Sequence, residues 1–429
     1  MYDVAIIGAG WAGYNAAKLA QKAGLRIVII EKDAVGGTCL NRGCIPTKAF
    51  IQSAKIFSSA KKAGTFGVSL QTPSVSFEAI QQRKETLVKQ LRQGMDFMLR
   101  GIDLLKGSAR LISNNQIRVD DTVIDAKNII IASGSRSYEL PGFTFDGKTV
   151  ISSDDVLRLT KQPKSMLIIG GGVIGCEFAG FFAALGTKIT VVEKMSQLIP
   201  GLDSDLSRKL EILFKKKGIS VLTNTDAGLL DRTSFEKILV CVGRVPLLES
   251  LGLEEAGISI DKGKVAVDDY LRTSKPTVYA AGDCTGKLML AHYAAYQGEC
   301  AAWNCAHPDA LKKVDNLVVP SCIFTDPEIA TVGLTEKEAV NQGKHVGQAK
   351  FDFLASGMAR ILDETEGYVK IVYDIDSDVV LGASILGPRA TELISVFSVV
   401  VTSKLTRRAL KEFIFAHPTL SECIHEIVG

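Results

Sequence analysis

Residues 3–31 read DVAIIGAGWAGYNAAKLAQKAGLRIVIIE, and this stretch decides the fold. An apolar strand, Asp3 to Ile7, runs into Gly8-Ala9-Gly10-Trp11-Ala12-Gly13. A helical pattern follows through Ala23, and a second apolar strand, Arg26 to Ile30, ends in Glu31. Strand, glycine turn, helix, strand and acid in this order make a complete βαβ unit for a dinucleotide. Gly8 makes the tight turn, Gly10 lets a pyrophosphate reach the helix N-terminus, and Gly13 allows the helix to pack on the strand. Glu31 can accept from a ribose 2′-hydroxyl. The glycine spacing alone also occurs in turns that bind nothing; the flanking elements give it meaning.

The pattern restarts in mid-chain. Lys164 to Ile169 is a strand, Gly170-Gly171-Gly172-Val173-Ile174-Gly175 a second fingerprint, Cys176 to Leu185 its helix, and Lys188 to Val192 a strand ending in Glu193. Two such units imply two dinucleotides. Glu193 favours NAD over NADP, because a carboxylate repels a 2′-phosphate, although Lys194 beside it weakens the preference. Between strand Ile219 to Leu222 and strand Lys237 to Val242 stand fourteen residues, Thr223 to Glu236, with little periodic pattern. A parallel crossover needs about a dozen, so the connection closes with nothing spare.

Just after the first unit stands Val35 to Lys48, VGGTCLNRGCIPTK, with Cys39 and Cys44 between a glycine pair and a helical pattern. Thr38 is expected to cap a helix starting near Cys39, placing that thiol among unpaired N–H groups that favour the thiolate. A redox disulfide is one reading. A structural disulfide, half of a metal site and two unpaired thiols are the others. The chain shows no sign of the oxidising compartment a structural bridge needs, and no second cysteine pair at zinc spacing stands nearby.

At 429 residues, 46% of them hydrophobic, the chain is long enough for about three domains. A formal net charge of +3 implies neither a nucleic-acid footprint nor an acidic substrate. The N-terminus enters a strand at Tyr2 without a secretory leader, and the longest apolar passages, such as Ile394 to Val401, fall short of a membrane span. Nine cysteines fit a reducing cytoplasm in which seven stay as thiols and the Cys39–Cys44 pair is the exception. No metal is expected. Lys215 to Lys217, closing a helical pattern before Gly218, read as a solvated helix end.

A long helix is expected from Phe77 to Leu99, then strands Ile117 to Val119, Val123 to Ile124 and Asn128 to Ala132, the last closed by Ser133-Gly134-Ser135. Pro141 and Gly142 mark a linker. Thr277 to Ala281 is a strand closed by Gly282-Asp283, where an aspartate faces a cofactor crevice or serves an ordinary turn. From Asp315, strands (Ser321 to Phe324, Tyr368 to Tyr373, Val379 to Leu386) mix with helices (Ala390 to Thr402, Arg407 to Phe413) and carry no glycine fingerprint, as in an association domain. The expected class is α/β: two Rossmann-like dinucleotide-binding domains, 1–140 completed by 265–314 and 141–264, followed by an α+β dimerisation domain, 315–429. Near the end, His417-Pro418-Thr419-Leu420-Ser421-Glu422 offers either a histidine oriented by a carboxylate or two unrelated surface residues.

Taken together, GGTCLNRGCIPTK, the two fingerprints, VYAAGD and HPTLSE, in that order, resemble the class I pyridine nucleotide-disulfide oxidoreductases, most closely those that oxidise dihydrolipoamide. The resemblance covers essentially the whole chain. It implies FAD on the first unit, held by Gly8, Gly10, Gly13, Glu31, Lys48 and Asp283, with Lys48 near the reactive flavin nitrogen beside Glu177. It implies NAD on the second, held by Gly170, Gly172, Gly175 and Glu193 with Gly243. Thr38, Gly134 and Ala291 complete the cofactor-binding set. Cys39 becomes the interchange thiol and Cys44 the thiol against the flavin. His417 and Glu422 become the base and its orienter, reaching the disulfide of the other subunit of a homodimer.

The implied activity is oxidation of a lipoyl-bearing carrier protein of a 2-oxo acid dehydrogenase or glycine cleavage complex, with NAD as acceptor. The alternatives are an NAD(P)H-dependent reductase of another small disulfide, glutathione-reductase-like, and a flavoprotein serving as a binding subunit or redox sensor. Glutathione reductases typically carry alanine as third fingerprint residue and arginines for NADP, where Gly175 and Glu193 stand here. Mercuric reductases and thioredoxin reductases with a second redox pair add C-terminal cysteines; this chain ends Glu426-Ile427-Val428-Gly429. The gap at 223–236 departs from the family, which usually has an antiparallel excursion there.

Overall fold

The structure, a computed structural model, describes residues 1–314 and 318–429. The chain forms two compact units. The first comprises Met1–Phe50, Ser76–Lys161 and Val242–Val314, and the second Ile51–Val75, Gln162–Cys241 and residues 318–429. Where the sequence suggested limits at 140 and 264, these units divide at 161 and 241; the expected limit at 315 lies outside the described residues.

The first unit is built on a sheet whose strands run in the order Asp103–Lys106, Ile27–Glu31, Tyr2–Ile7, Thr122–Ile131, Gln116–Val119, Ala109–Leu111, with Val278–Ala280 also paired to Thr122–Ile131. The five strands around Tyr2–Ile7 are parallel, and their registers set Ile6 opposite both Ile29 and Ile130, each fully buried. Strands covered on both faces read as unbroken apolar runs, which is why the sequence shows no alternation here. Each such side chain contributes roughly 1.5–3 kcal/mol on burial. Val123 to Ile124 and Asn128 to Ala132, expected as two strands, form one, Thr122–Ile131. Its first half does alternate, because there it pairs antiparallel with Gln116–Val119.

The fingerprint helix Trp11–Lys22 buries Ala12, Ala16, Ala17 and Ala20. Helix Ala291–Ala306 crosses it so closely that a Cβ at Gly298 would stand 2.0 Å from the Ala12 carbonyl oxygen. The long helix Phe77–Met98 starts at Ser76, whose Oγ accepts from the Ala79 N–H.

In the second unit, parallel strands lie in the order Ser220–Leu222, Lys188–Val192, Ser165–Ile169, Lys237–Val240. The fourteen-residue connection reaches across them without adding a strand. It folds into a short 3₁₀ turn, Ala227–Leu229, with the Asp226 carboxylate accepting from the Gly228 N–H. Its end is tied to the sheet through Glu236, which donates its N–H to Ser165 Oγ and accepts from the Lys164 N–H.

The C-terminal part of the same unit is an antiparallel sheet, ordered Ser321–Ile323, Glu328–Gly333, Val380–Gly387, Tyr368–Asp374, Val346–Asp352. Helix Ala390–Thr402 buries Leu393, Ile394 and Phe397 in the core of this sheet. Strands Glu328–Gly333 and Val346–Asp352 were not expected, since neither carries a long apolar run. Lys215 to Lys217 are not merely solvated. Lys216 reaches Glu366 at 3.0 Å and Lys217 reaches Asp326 at 2.6 Å, exposed pairs of small energetic weight that tie the helix end to later chain. Among the described residues no helix is long and apolar enough to cross a membrane.

Candidate active site

The cysteine motif is shaped by its glycines. Gly36 donates its N–H to the Ala9 carbonyl at 2.8 Å, and Gly37, at φ +55°, sits so near the fingerprint turn that a Cβ there would be 2.7 Å from the Gly10 Cα. The motif is therefore stitched directly onto the first fingerprint. A short helix, Gly37–Arg42, starts from left-handed Gly36, breaks at Gly43 and gives way to helix Cys44–Lys61.

Two expectations fail here. Thr38 lies inside the short helix and makes no side-chain cap, because Gly36 starts the helix earlier by adopting a backbone that threonine disfavours. The thiolate preference of Cys39 is also absent in this state. Cys39 and Cys44 form no disulfide, and the hydrogen bond that the Cys39 thiol shares with Cys44, then burial, pushes the Cys39 thiol far up. It is Cys44 that opens a long helix, where partial positive charge favours an anion. Lys48 follows one turn later on the same face of that helix. Asn41 holds the motif from behind, donating to the carbonyls of Gly37 and Val35 while accepting from Arg92 Nε at 2.9 Å.

The two fingerprints have the same wiring. In the first, Glu31 accepts from the N–H groups of Ala9 and Asp33, both at 2.7 Å. In the second, Glu193 accepts from Gly171 at 2.7 Å and Met195 at 2.8 Å. Each strand-end carboxylate thus clamps its own glycine turn. A Cβ at Gly13 would lie 1.9 Å from the Gly8 carbonyl oxygen, and one at Gly175 would lie 2.0 Å from that of Gly170. Gly8 itself, at φ +103°, leaves no room for a side chain against the Ala132 carbonyl. Beside Gly172 and Gly134, in contrast, the space is open.

Around the first turn, Asp283 accepts from Ser135 Oγ at 2.5 Å, and Arg244 donates to both Ser135 Oγ and its carbonyl at 2.8 Å. Gln297 is fully buried; its Oε1 accepts from Gly282 N–H, while its Nε2 has no hydrogen-bond partner. Ala291 opens the adjacent helix, whose preceding residue Leu290 supplies no side-chain cap. Gly243, expected on the NAD side, belongs to the first unit, where its carbonyl accepts from Tyr138 N–H. Glu177, 3% exposed, lies in the second unit and accepts from the Phe324 N–H at 3.0 Å.

Near the C-terminus the His417–Pro418 peptide is cis, and His417 Nδ1 lies 2.7 Å from Glu422 Oε1. The other Glu422 oxygen accepts from the Thr419 N–H at 2.8 Å. The imidazole first, and then that N–H, hold the Glu422 carboxyl below its ordinary value. The histidine side chain is 82% exposed, available to something outside its own chain.

Sequence reading missed Trp11, Ser135 and Arg244. The first sits inside a fingerprint where only glycines were weighed, and the others act through contacts more than a hundred residues apart. The donor set fits dinucleotides: clamped glycine turns, open space beside Gly134 and Gly172, and an unsatisfied buried amide at Gln297. Among the described residues no cluster of three or more His, Cys, Asp or Glu could hold a metal ion.

Comparison with known proteins gives the same picture. Residues 2–298 match the pyridine nucleotide-disulphide oxidoreductases, and residues 319–428 match the dimerisation domain of that family. A dihydrolipoyl dehydrogenase from Bacillus subtilis is 37% identical, over 99% of this chain and 97% of that protein. One from Chlamydia pneumoniae is 40% identical, over 98% and 95%. Among solved structures, LpdA from Mycobacterium tuberculosis superposes with a TM-score of 0.92 at 28% identity, covering 99% of this chain and 98% of that one. The HOCl-induced flavoprotein disulfide reductase RclA from Escherichia coli gives 0.89 at 28% identity, over 100% and 99%.

Proposed function

Because the chain belongs to the pyridine nucleotide-disulphide oxidoreductases, we propose that it oxidises protein-bound dihydrolipoyl groups with NAD, through a Cys39–Cys44 disulfide, as a homodimer. Gly8, Gly10, Gly13, Glu31, Thr38, Lys48, Gly134, Asp283 and Ala291 hold FAD. Gly170, Gly172, Gly175 and Glu193, joined by Gly243, would hold NAD, and Glu177 would serve the flavin side. FAD bound there would supply an acceptor for an electron pair from a thiolate, and NAD an acceptor for hydride.

The protein's own groups handle protons and sulfur. Glu422 accepts a hydrogen bond from the Nδ1–H of His417, which leaves Nε2 free to take a proton from a substrate thiol. A histidine so exposed serves best if it reaches the disulfide of a second copy of the chain. The substrate thiolate attacks Cys39 Sγ, the Cys39–Cys44 bond breaks, and Cys44 leaves as thiolate at its helix N-terminus. The second substrate thiol then displaces Cys39, so that the substrate departs as a disulfide and two electrons stay on the cysteine pair. The carrier is a lipoyl-bearing protein of a 2-oxo acid dehydrogenase or glycine cleavage complex, in the cytoplasm.

The observation that carries this reading is the Gly36 N–H to Ala9 carbonyl bond, which seats the cysteine motif on the first dinucleotide turn. Anaerobic reduction of the oxidised holoenzyme with one equivalent of dihydrolipoamide, followed by thiol labelling and mass spectrometry, tests it. Two new thiols are expected, at Cys39 and Cys44. New thiols elsewhere, or none, would overturn the assignment.

A further inference from the structure

Trp11 occupies a variable place in the fingerprint, the first residue of helix Trp11–Lys22, where dinucleotide binding asks nothing of a side chain. Its surroundings ask for something. Its neighbour Gly10 is pressed against Gly37, and Ala9 accepts from Gly36, so the start of this helix meets the start of the helix bearing Cys39. The indole is held edge-on by Tyr14, with ring centroids 6.4 Å apart and planes at 77°. Its Nε1 is buried and has no hydrogen-bond acceptor. A buried N–H without a partner is costly and uncommon.

In the dithiol the Cys39 sulfur already has a partner in Cys44, and the indole N–H, close enough to oppose the upward push by hydrogen bonding, does not reach full hydrogen-bond geometry. An anion at Cys39 changes that balance, since a thiolate is a far better acceptor than a thiol.

We propose that Trp11 is a positioning donor for the redox pair: its indole N–H hydrogen-bonds the Cys39 thiolate and sets how readily that sulfur attacks and departs during interchange. The proposal rests on the reading of Cys39 as the interchange thiol. It completes the otherwise unpaired donor and divides the stabilisation of the two sulfurs, Cys44 by its helix N-terminus and Cys39 by Trp11.

The test uses FAD-loaded enzyme reduced anaerobically with one equivalent of dihydrolipoamide and alkylated with iodoacetamide from pH 5 to 9, with the labelled residue located by mass spectrometry. In the parent protein the label falls on Cys39. In Trp11→Phe the same residue is labelled, but the pH profile moves up by about half to one unit, a roughly threefold to tenfold slower reaction at pH 6 with an unchanged alkaline plateau. Should Trp11→Phe fold poorly, site-specific replacement of Trp11 by β-(3-benzothienyl)alanine keeps the ring shape and removes only the N–H; it should give the same shift. A profile unchanged with either replacement, with Cys39 still labelled, overturns the role of Trp11 alone. Labelling of Cys44 in the parent protein overturns the interchange assignment beneath it.

Discussion

His417 Nδ1 lies 2.7 Å from Glu422 Oε1, and Thr419 fixes the second oxygen of that carboxylate through its N–H. The ring is thereby oriented and its tautomer chosen, with Nε2 left to meet a proton outside the chain. His417→Gln should lower dihydrolipoamide:NAD turnover by ~10²–10⁴-fold while leaving flavin bleaching by NADH intact. Rapid-mixing absorbance of each half-reaction checks this. Equal loss of both would show that the residue serves the fold or the cofactor rather than thiol chemistry.

The division of labour between the cysteines has its own spectroscopic consequence. Cys44 opens helix Cys44–Lys61, so on the proposed reading its thiolate would be the one stabilised against the flavin. Cys44→Ser should abolish any long-wavelength thiolate-to-flavin absorbance in the half-reduced enzyme, and Cys39→Ser should retain it. A band that survives in Cys44→Ser would reverse the assignment.

Gly175 offers a steric test of the second fingerprint. Its missing Cβ would collide with the Gly170 carbonyl at 2.0 Å, so Gly175→Ala must shift the helix against its strand. A cost of about 1–3 kcal/mol is expected, with weakened NADH binding and undiminished FAD content. Thermal unfolding, an NADH titration and the flavin-to-protein ratio measure the three parts. Parent-like stability and affinity would mean that the turn can relax as it stands.

A partly buried charge cluster in the second unit predicts a pH effect. Burial raises the Asp205 carboxyl, but Lys370 at 3.0 Å and the Tyr368 hydroxyl outweigh it and leave it below its ordinary value. A depressed carboxyl stabilises the fold above the unfolded value, about 3.9, and that contribution disappears as pH falls through the lower folded value. Asp205→Asn should therefore be less stable than the parent at pH 6, with the difference shrinking on acidification. Urea midpoints across that range decide it; a difference that grows toward low pH would exclude the linkage.

The sequence displayed those parts of the fold that depend on local pattern. Both fingerprints were legible because Gly13 and Gly175 are demanded by contacts only five residues away, the carbonyls of Gly8 and Gly170. Glu31 and Glu193 were legible as strand ends, although their clamps on the turns were not. The cysteine motif was legible as a candidate site, but its helix start was misplaced at Thr38, because a left-handed start at Gly36 and a break at Gly43 are choices of backbone that residue type only permits. The links from Asp283 to Ser135 and from Glu177 to Phe324 span 148 and 147 residues, and no local pattern announces such pairs. Strand Val346–Asp352 escaped notice because an edge strand with one exposed face needs few apolar residues.

The central claim is that the Cys39–Cys44 pair takes electrons from a dihydrolipoyl group and delivers them to NAD. Steady-state turnover of dihydrolipoamide with NAD against NADP measures it most directly. Glu193, accepting from Gly171 and Met195 at the end of its strand, predicts turnover with NAD and a rate with NADP lower by at least about tenfold, the factor that 1.4 kcal/mol represents. Negligible turnover with NAD, or a preference for NADP, would contradict the account.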